Sequence, residues 1–391
     1  MEYLKNKLVQ LADSLIGPIW AWVMASSWAV RAFVLTLGGG IFVLAYNPGA
    51  AYQNYRLLLS TFHVATTEND HIALDAGTKV RLSSTTARLE ETVKADLISL
   101  AGLVPWSTAQ AIVALGEKAQ TSRPAYVNNA ISQILGNKAG TCFCWAEIPS
   151  RDADGIGMFI AGWVMLAFSN IKETVSDTDA AYILGAQHAQ GWWPIFPDKT
   201  DETFASTYST AWIVLGMVET SRSELISPAM RKRADDAVGR AVSWLFTTRT
   251  GSGKWKPYPN MATSKESDSI SGLVLHALHI AHPSDLHALD QKWLAGLQSN
   301  PPEASTSEEN YVELRGSNIE RIDHFLQLKL PWMLIATVDA YPNGELFQRG
   351  RARNWIDIAV SDNGVLTADA NTNNWWRAEL LYALKYLQNH D

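Results

Sequence analysis

Apolar and polar positions form blocks along residues 85–391 that repeat about six times. Each block contains an amphipathic stretch, a Gly-x-Trp turn, a polar stretch and a second stretch that is apolar on all faces. The clearest copies run from Tyr182 to Trp193 and from Trp244 to Trp255. One helix pair cannot bury its own apolar face, so repeated pairs must stack on one another. The pattern predicts an all-α fold, an (α/α)6 toroid with a central cavity.

The two kinds of stretch predict two sets of helices. Amphipathic stretches predict outer helices at about 85–101, 123–136, 177–190, 229–249, 286–298 and 347–361. Stretches that mix small and large residues on every face predict buried inner helices at about 106–118, 155–170, 206–220, 268–281, 323–338 and 374–387. The polar segments supply candidate N-caps for the inner helices in Ser206, Ser267 and Asp323.

The turn pattern resembles a known family. Segment 182–193, in which Gln187 precedes Gly-Trp-Trp, resembles the Gln–Trp repeats of terpenoid cyclases such as squalene-hopene cyclase. Segment 244–255 has Thr248 in place of Gln. The toroid of this family is shared by protein prenyltransferase β-subunits and the complement thioester domain. The resemblance covers about 85–387 and implies the fold, whereas an activity has to be argued from the site.

The N-terminal stretch predicts a membrane anchor. Residues 14–46 carry one charge, Arg31, and a bilayer core needs about 20 apolar residues in a helix. We expect an anchor domain at 1–49, with an interfacial segment and one spanning helix at about 27–46. A linker at 50–84 then leads into the toroid domain, which runs to the end of the chain. The bilayer is therefore a predicted partner.

The flanking charges bear on the topology. Lys5 and Lys7 precede the predicted span and Arg56 follows it, so the positive-inside rule places the toroid outside the cytoplasm in a single-pass protein. A two-span hairpin, 14–30 and 32–46, reverses that side, but each half is short for a span. A buried hydrophobic hairpin in a soluble protein and a cleaved signal peptide are the other interpretations.

The composition limits the classes of molecule that the protein is expected to bind. The net charge is −7, and the densest basic run, 231–233, is followed by two aspartates after one alanine, which argues against nucleic acid. The 16 Trp residues either wedge helix pairs together or line a cavity for an apolar or sugar ligand. Cys142 and Cys144 are too close in sequence for an unstrained disulfide, so we expect no disulfide staple.

An acid-catalysed reaction has one candidate acid. Squalene-hopene-type cyclases protonate an alkene with an Asp of an Asp-x-Asp-Asp motif, and the resemblance assigns that place to Asp152-Ala-Asp154-Gly155. Such an acid has to be buried with a raised pKa. The fourth position is Gly here, and Asp154 also suits a cap of the next inner helix. Asp152 and Asp154 are therefore candidate catalytic residues, with capping as the competing interpretation.

The sequence also contains candidate residues for two other kinds of site. A prenyltransferase-type zinc ion needs Asp, Cys and His ligands, but no Asp-x-Cys pair occurs, and buried, partnered histidines are the commoner explanation of His276 and His279. We therefore predict neither a metal nor a cofactor. Glycan-cleaving toroids use two carboxylates across an aromatic groove. Carboxylates begin or line several inner helices here: Asp154, Asp268, Asp323 and Glu379.

These patterns favour a binding module over an enzyme. We expect a membrane-anchored toroid that binds a lipid or isoprenoid-like molecule or a partner protein, as a sensor or scaffold in, for example, a bacterial envelope or defence system. The alternative is an active enzyme, either a divergent cyclase with Asp154 as general acid or a glycan hydrolase with paired carboxylates. The candidate ligand-binding residues are Trp163, Thr207, Tyr208, Trp212, Asp268, His276, His324, Trp332, Asn374, Trp375 and Arg377.

Overall fold

A computed structural model describes residue 74 and residues 76–116, 123–146, 157–281, 308–314, 322–340 and 374–390. The chain divides into two units, Met1–Asp70 and His71–Asp391, and every described residue belongs to the second. The predicted anchor, its spanning helix and most of the predicted linker lie outside the described residues. Among the helices that are described, none has both the length and the apolar character needed to cross a bilayer.

The described residues are predominantly helical, which confirms the predicted all-α class apart from one small sheet. The helices are α1 (Ala76–Ser99), α2 (Pro105–Leu115), α3 (Ala125–Gly136), α4 (Met158–Ile171), α5 (Asp177–Gly185), α6 (Thr207–Arg222), α7 (Pro228–Thr247), α8 (Asp268–Ala281), α9 (Lys329–Ala340) and α10 (Asn374–His390). A 3₁₀ turn, Glu202–Phe204, precedes α6. The strands β1 (Glu308–Leu314) and β2 (Ile322–Leu328) pair antiparallel before α9.

Six helices contact one another in cyclic order. Helix α2 packs on α4, α4 on α6, α6 on α8, α8 on α9 and α9 on α10, and α10 returns to α2. These six correspond to the predicted inner helices. Four predicted outer helices are described as well: α1 packs on α2, α3 and α10, α3 also packs on α2, and α7 packs on α5, α6 and α8. The outer helices predicted at 286–298 and 347–361 lie outside the described residues.

Glycines allow neighbouring inner helices to approach closely. A Cβ atom at Gly162 of α4 would lie 2.5 Å from the backbone of Trp212 in α6, and one at Gly216 would lie 2.6 Å from the carbonyl oxygen of Gly162. Gly272 of α8 has the same relation to α9, where a Cβ atom would lie 2.5 Å from the carbonyl oxygen of Trp332. The mixture of small and large residues on the inner helices thus serves close packing between backbones.

The Gly-x-Trp turns share one hydrogen bond. In each of them the indole N–H donates to a main-chain carbonyl of the preceding outer helix. The distance is 2.7 or 2.8 Å in three copies: Trp145 to Ile134, Trp193 to Ile183 and Trp255 to Leu245. Gly191 and Gly253 have positive φ angles of 106° and 87°, a conformation that glycine adopts without strain. Trp145 therefore belongs to a third copy of the turn, although its sequence lacks the glycine two residues earlier.

Several helix boundaries differ from the prediction. Helix α1 begins at Ala76 rather than at about 85, so the end of the predicted linker is helical. Helix α5 ends at Gly185 rather than at about 190. The fifth inner helix begins at Lys329 rather than at 323, because residues 322–328 pair with residues 308–314. Asp323 therefore lies in β2 and is not the predicted N-cap.

The other two predicted N-caps are confirmed. The hydroxyl oxygen of Ser206 accepts a hydrogen bond from the main-chain N–H of Ser209 at 3.1 Å. The hydroxyl of Ser267 accepts one from the N–H of Ile270, also at 3.1 Å. Each hydroxyl satisfies one of the N–H groups that a helix leaves without a partner in its first turn. The polar segments that precede α6 and α8 thus fix where these inner helices begin.

The two cysteines are bonded to each other, which corrects the expectation that they form no disulfide. Their Cα atoms lie 5.2 Å apart, within the range of about 4.4–6.8 Å that disulfides span. The chain reverses direction in this loop: Gly140 has a φ of 61°, and the main-chain N–H of Ala139 donates to the carbonyl of Cys144 at 2.9 Å. This reversal brings Cys142 and Cys144 together despite the single residue between them.

Candidate functional site

Aromatic side chains at the second position of three neighbouring inner helices lie close together. They are Trp106 in α2, Phe159 in α4 and Tyr208 in α6. The ring centroids of Trp106 and Phe159 are 6.3 Å apart, and those of Phe159 and Tyr208 are 5.1 Å apart. Each side chain keeps a residual exposure of 5 to 8%. We call these three side chains the mouth rings, because each lies in the first turn of an inner helix.

Three tryptophans lie further along the inner helices. Trp163 and Trp212 have ring centroids 3.6 Å apart, and Trp212 meets Trp332 edge-on at 5.2 Å. We call them the deep tryptophans, since all three are fully buried. Tyr208 connects the two groups, with its ring 6.4 Å from that of Trp212. An unbroken series of aromatic contacts therefore runs from α2 through α4 and α6 to α9.

A carboxylic acid lies where the ring of helices closes. Gln110 of α2 donates through Nε2 to Oε1 of Glu379 in α10 at 3.3 Å, and both side chains are buried. Burial raises the pKa of Glu379 to about 8, and the nearby indole N–H of Trp332 opposes this shift only in part. Since the charged form is disfavoured, Glu379 is mainly a neutral acid at pH 7. It can donate a hydrogen bond or a proton in an aromatic environment.

Some polar atoms of this interior have no hydrogen-bond partner in the part of the chain that the structure describes. They are the second carboxyl oxygen of Glu379, the carboxamide oxygen of Gln110 and the indole nitrogens of all three deep tryptophans. Buried polar atoms are nearly always paired with protein, water or ligand. An apolar site with a few convergent polar groups is also the usual composition of a small-molecule pocket. The interior is therefore apolar, with a few unpaired polar atoms among the described residues.

A second polar cluster joins α8, α9 and α10. His276 is 2.9 Å from Asp339 through Nδ1 and 3.0 Å from the hydroxyl of Tyr382 through Nε2. Tyr386 donates to the other oxygen of Asp339 at 2.5 Å. A carboxylate only accepts, so Nδ1 of His276 carries the proton and Nε2 accepts from Tyr382. Burial, followed by the charge of Asp339, raises the pKa of Tyr382 and of Tyr386, which keeps both phenols protonated as donors.

This cluster accounts for the two histidines that were considered as zinc ligands. Both ring nitrogens of His276 are engaged with protein side chains, and Nε2 of His279 lies 3.6 Å from Asp339. Within the described ranges, no group of three or more His, Cys, Asp or Glu side chains is placed to hold a metal ion. The i,i+3 spacing of the histidines serves packing between helices, because both face the same carboxylate of α9.

Other predicted ligand-binding residues at the helix starts make contacts with neighbouring segments. At the start of α6, Thr207 donates to the carbonyl of Lys256 at 2.6 Å, and at the start of α8, Asp268 lies 2.8 Å from Nζ of Lys254. In the first turn of α10, Arg377 donates to Asp96 at 2.7 Å and Asn374 donates to the carbonyl of Ala101 at 3.3 Å. These contacts fix how the inner helices begin relative to their neighbours. They give the four residues a structural role whether or not a ligand is bound.

The remaining predicted site residues lie elsewhere. His324 is in β2, which corrects its predicted place at the start of an inner helix. Trp375 is the second residue of α10. Asp152 and Asp154 lie outside the described residues. Comparison of the chain with protein-family models, curated proteins and solved structures finds no match, so the function has to be inferred from the geometry of the site itself.

Sequence reasoning did not single out Gln110 or Phe159 as site residues. Gln110 is a single polar side chain in the middle of an apolar helix, and only the packing of α10 on α2 places it beside Glu379. Phe159 follows a helix start that was predicted three residues too early. Phe159 could have been recognised from the aromatic residue that α2, α4 and α6 share at their second position. This comparison is possible only once the first residue of each helix is known.

Proposed function

We propose that the six contacting helices form an (α/α)6 toroid that binds a hydrophobic, isoprenoid-like or lipid molecule at the mouth rings, as a sensing or scaffolding module at a membrane. The closed order of helix contacts supports the toroid. The apolar run of residues 14–46 supports the membrane location. The resemblance of segment 182–193 to the Gln–Trp repeats of terpenoid cyclases supports an isoprenoid-like ligand.

The observation that carries the proposal is the series of aromatic contacts from the mouth rings to the deep tryptophans. The mouth rings keep some exposure while the deep tryptophans have none, so the ligand enters between the mouth rings and the deep tryptophans form the floor of the site. Aromatic faces offer a large apolar area at a small cost in side-chain entropy. The indole N–H groups of Trp163 and Trp212 then provide donors for a polar atom that reaches the floor.

Direct binding to the full-length protein tests this function. Radiolabelled farnesol and squalene serve as isoprenoid probes and maltohexaose as a glycan probe, with empty detergent micelles as the control for partitioning. We expect saturable binding of the isoprenoids and none of the sugar. Phe159→Leu and Tyr208→Leu keep an apolar side chain but remove a ring, and each is expected to weaken isoprenoid binding about tenfold, equivalent to about 1.4 kcal/mol.

Phe246→Leu is the matched control, because Phe246 is a partly buried ring of the outer helix α7. It should leave isoprenoid affinity unchanged. If the mouth variants bind isoprenoids as tightly as the wild type does, the ligand lies elsewhere and the proposed site is wrong. Saturable binding of maltohexaose alone would favour the glycan hydrolase instead.

One observation favours a second function, that of an acid-catalysed cyclase. Glu379 combines burial, a pKa of about 8 and aromatic neighbours, and a proton donor to an alkene needs such a neutral acid near working pH. Aromatic faces also stabilise cationic centres. Glu379 then takes the part that the resemblance assigned to Asp154, on a different helix.

Product analysis separates the two functions. Squalene is incubated with the full-length protein in detergent, and the extract is searched for cyclised isomers of the same mass. A cyclase yields such isomers, and Glu379→Gln abolishes them while squalene binding persists. A binding module returns squalene unchanged from both proteins.

A further inference from the structure

The loop after α3 is held by main-chain contacts and a buried tryptophan as well as by its cysteines. Lys138 and Trp145 form an isolated β-bridge, and the main-chain N–H of Ala139 donates to Cys144. The fully buried indole of Trp145 donates to the carbonyl of Ile134 at 2.7 Å. The loop is therefore anchored at both ends by contacts that do not involve sulfur.

The two cysteines differ in their exposure to solvent. Cys142 is half-buried, whereas Cys144 is only 3% exposed. Phe143, which stands between them, is buried and packs edge-on against Trp145 with ring centroids 4.7 Å apart. An incoming reagent can therefore reach Cys142 while Cys144 stays shielded within the loop.

This disulfide contributes little to folding stability through chain entropy. In the entropic account, a disulfide stabilises a fold by constraining the unfolded chain, and the gain rises with the length of the closed loop. One residue separates Cys142 from Cys144, so this loop is among the shortest that a disulfide can close. A bond with so small an effect on folding, in a loop held by other contacts, can open and close without unfolding the protein.

We propose that the Cys142–Cys144 pair is a thiol–disulfide exchange site that reacts with thiols or dithiols while the helical ring stays folded. A thiolate of the dithiol attacks the sulfur of Cys142, the bond between the protein sulfurs breaks, and Cys144 leaves as a thiolate that takes a proton from water. The second thiol of the reagent then attacks the mixed disulfide and releases Cys142. The dithiol is oxidised to a disulfide, and the protein gains two electrons and two protons.

The first test is a redox titration of the full-length protein in mixtures of reduced and oxidised dithiothreitol. Free thiols are trapped with a maleimide and counted by mass spectrometry, while circular dichroism follows the helices. We expect the protein to gain two thiols together, with a slope for two electrons, while the helical signal is unchanged. Two free thiols in the fully oxidising mixture, or a disulfide that opens only after denaturant is added, would overturn the proposal.

The second test concerns the unequal sulfurs. Cys144→Ser leaves the half-buried Cys142, and Cys142→Ser leaves the buried Cys144. With oxidised glutathione as the reagent, we expect the Cys144→Ser protein to form its mixed disulfide at least about tenfold faster, because the exchange rate depends on access to the sulfur. Equal rates in the two folded variants would show that Cys142 is not the preferred sulfur for attack, contrary to the proposal. The wild-type titration stands independently of whether either variant folds.

Discussion

The two sides of the ring of helices are held by different kinds of contact. Between α4 and α6, Gly162 and Gly216 bring the backbones together, and the indoles of Trp163 and Trp212 pack against each other with their planes tilted by 31°. Where α8, α9 and α10 meet, a buried cluster of hydrogen bonds centred on Asp339 joins the three helices. The first side gains from close packing, which is not directional. The second side specifies its partners, since a buried polar group is stable only with the right neighbour.

We call the side where α8, α9 and α10 meet the polar side, and Glu379 extends it to the contact between α10 and α2. Of the changes described below, titration of Glu379 should have the largest effect on the stability of the protein. Its folded-state pKa of about 8 lies above the ordinary value of 4.5, so the folded protein retains a proton that the unfolded chain releases. The stability from neutral Glu379 is fully present below about pH 4.5 and is lost as the pH rises to about 8. At about 1.36 kcal/mol per pH unit, the interval corresponds to roughly 5 kcal/mol.

Glu379→Gln isolates this contribution, because it keeps the shape of the side chain and does not titrate. Denaturant unfolding curves at a series of pH values measure it. The wild type should lose stability relative to the variant across that interval. Parallel curves for the two proteins would show that Glu379 titrates near its ordinary pKa and is open to water.

Removal of the central carboxylate should have the next largest effect. Asp339→Ala leaves His276 and the hydroxyl of Tyr386 without their acceptor inside the protein, and we expect a loss of about 4 kcal/mol of unfolding free energy. Asp235→Ala, on the exposed face of α7, is the control and should change it by less than about 0.5 kcal/mol. A small loss of unfolding free energy for both variants would mean that water readily replaces Asp339 as a hydrogen-bond partner. The hydrogen bonds of the polar side would then not determine which helices pack together.

Overpacking tests the other side of the ring. Gly162→Ala places a methyl group against the backbone of Trp212, so α4 and α6 must separate, at an expected cost of about 3 kcal/mol. Gly239→Ala in α7 is the matched control: a Cβ atom there meets nothing within 4 Å. This control should stabilise the protein by up to about 1 kcal/mol through helix propensity. Thermal unfolding measures the stability of both variants. If both substitutions changed stability in the same direction, the close approach of α4 and α6 would be contradicted.

The smallest expected effect comes from one hydroxyl of the polar side. Tyr382→Phe removes the donor to Nε2 of His276 and keeps the ring that packs near Trp332. We expect a loss of about 1 to 2 kcal/mol, the range for a buried group that loses its partner. A neutral result would indicate that His276 is positioned by Asp339 alone, which would reduce the polar side to a single essential contact.

The fold was more predictable than the site. The start of α8 at Asp268 and the caps Ser206 and Ser267 follow from local rules, because capping and periodicity act within one turn of helix. The late start of α9 could not be predicted locally, since residues 322–328 are extended through pairing with residues 308–314. Pairing with the preceding strand overrides the helical preference of the segment itself.

The site depends on contacts between distant residues to a greater degree. Trp163, Trp212 and Trp332 were proposed for the interior because tryptophans on inner helices are natural lining residues, and the structure brings them together. Glu379 was one carboxylate among several in the sequence. Its neutral state results from burial beside α2 and α9, and no local pattern encodes burial by helices that lie far away in the chain.

The meeting of α2 and α10 also affects how the protein is made. Gln110 and Glu379 touch across 269 residues of sequence, and a ribosome that adds about 5 to 20 residues per second needs roughly 15 to 50 s to synthesise that stretch. During this time α2 displays the apolar surface that α10 will later cover. Nascent chains therefore expose this apolar surface of α2 until α10 has been synthesised, and a stop codon before α10 produces a chain that is prone to aggregation or chaperone capture.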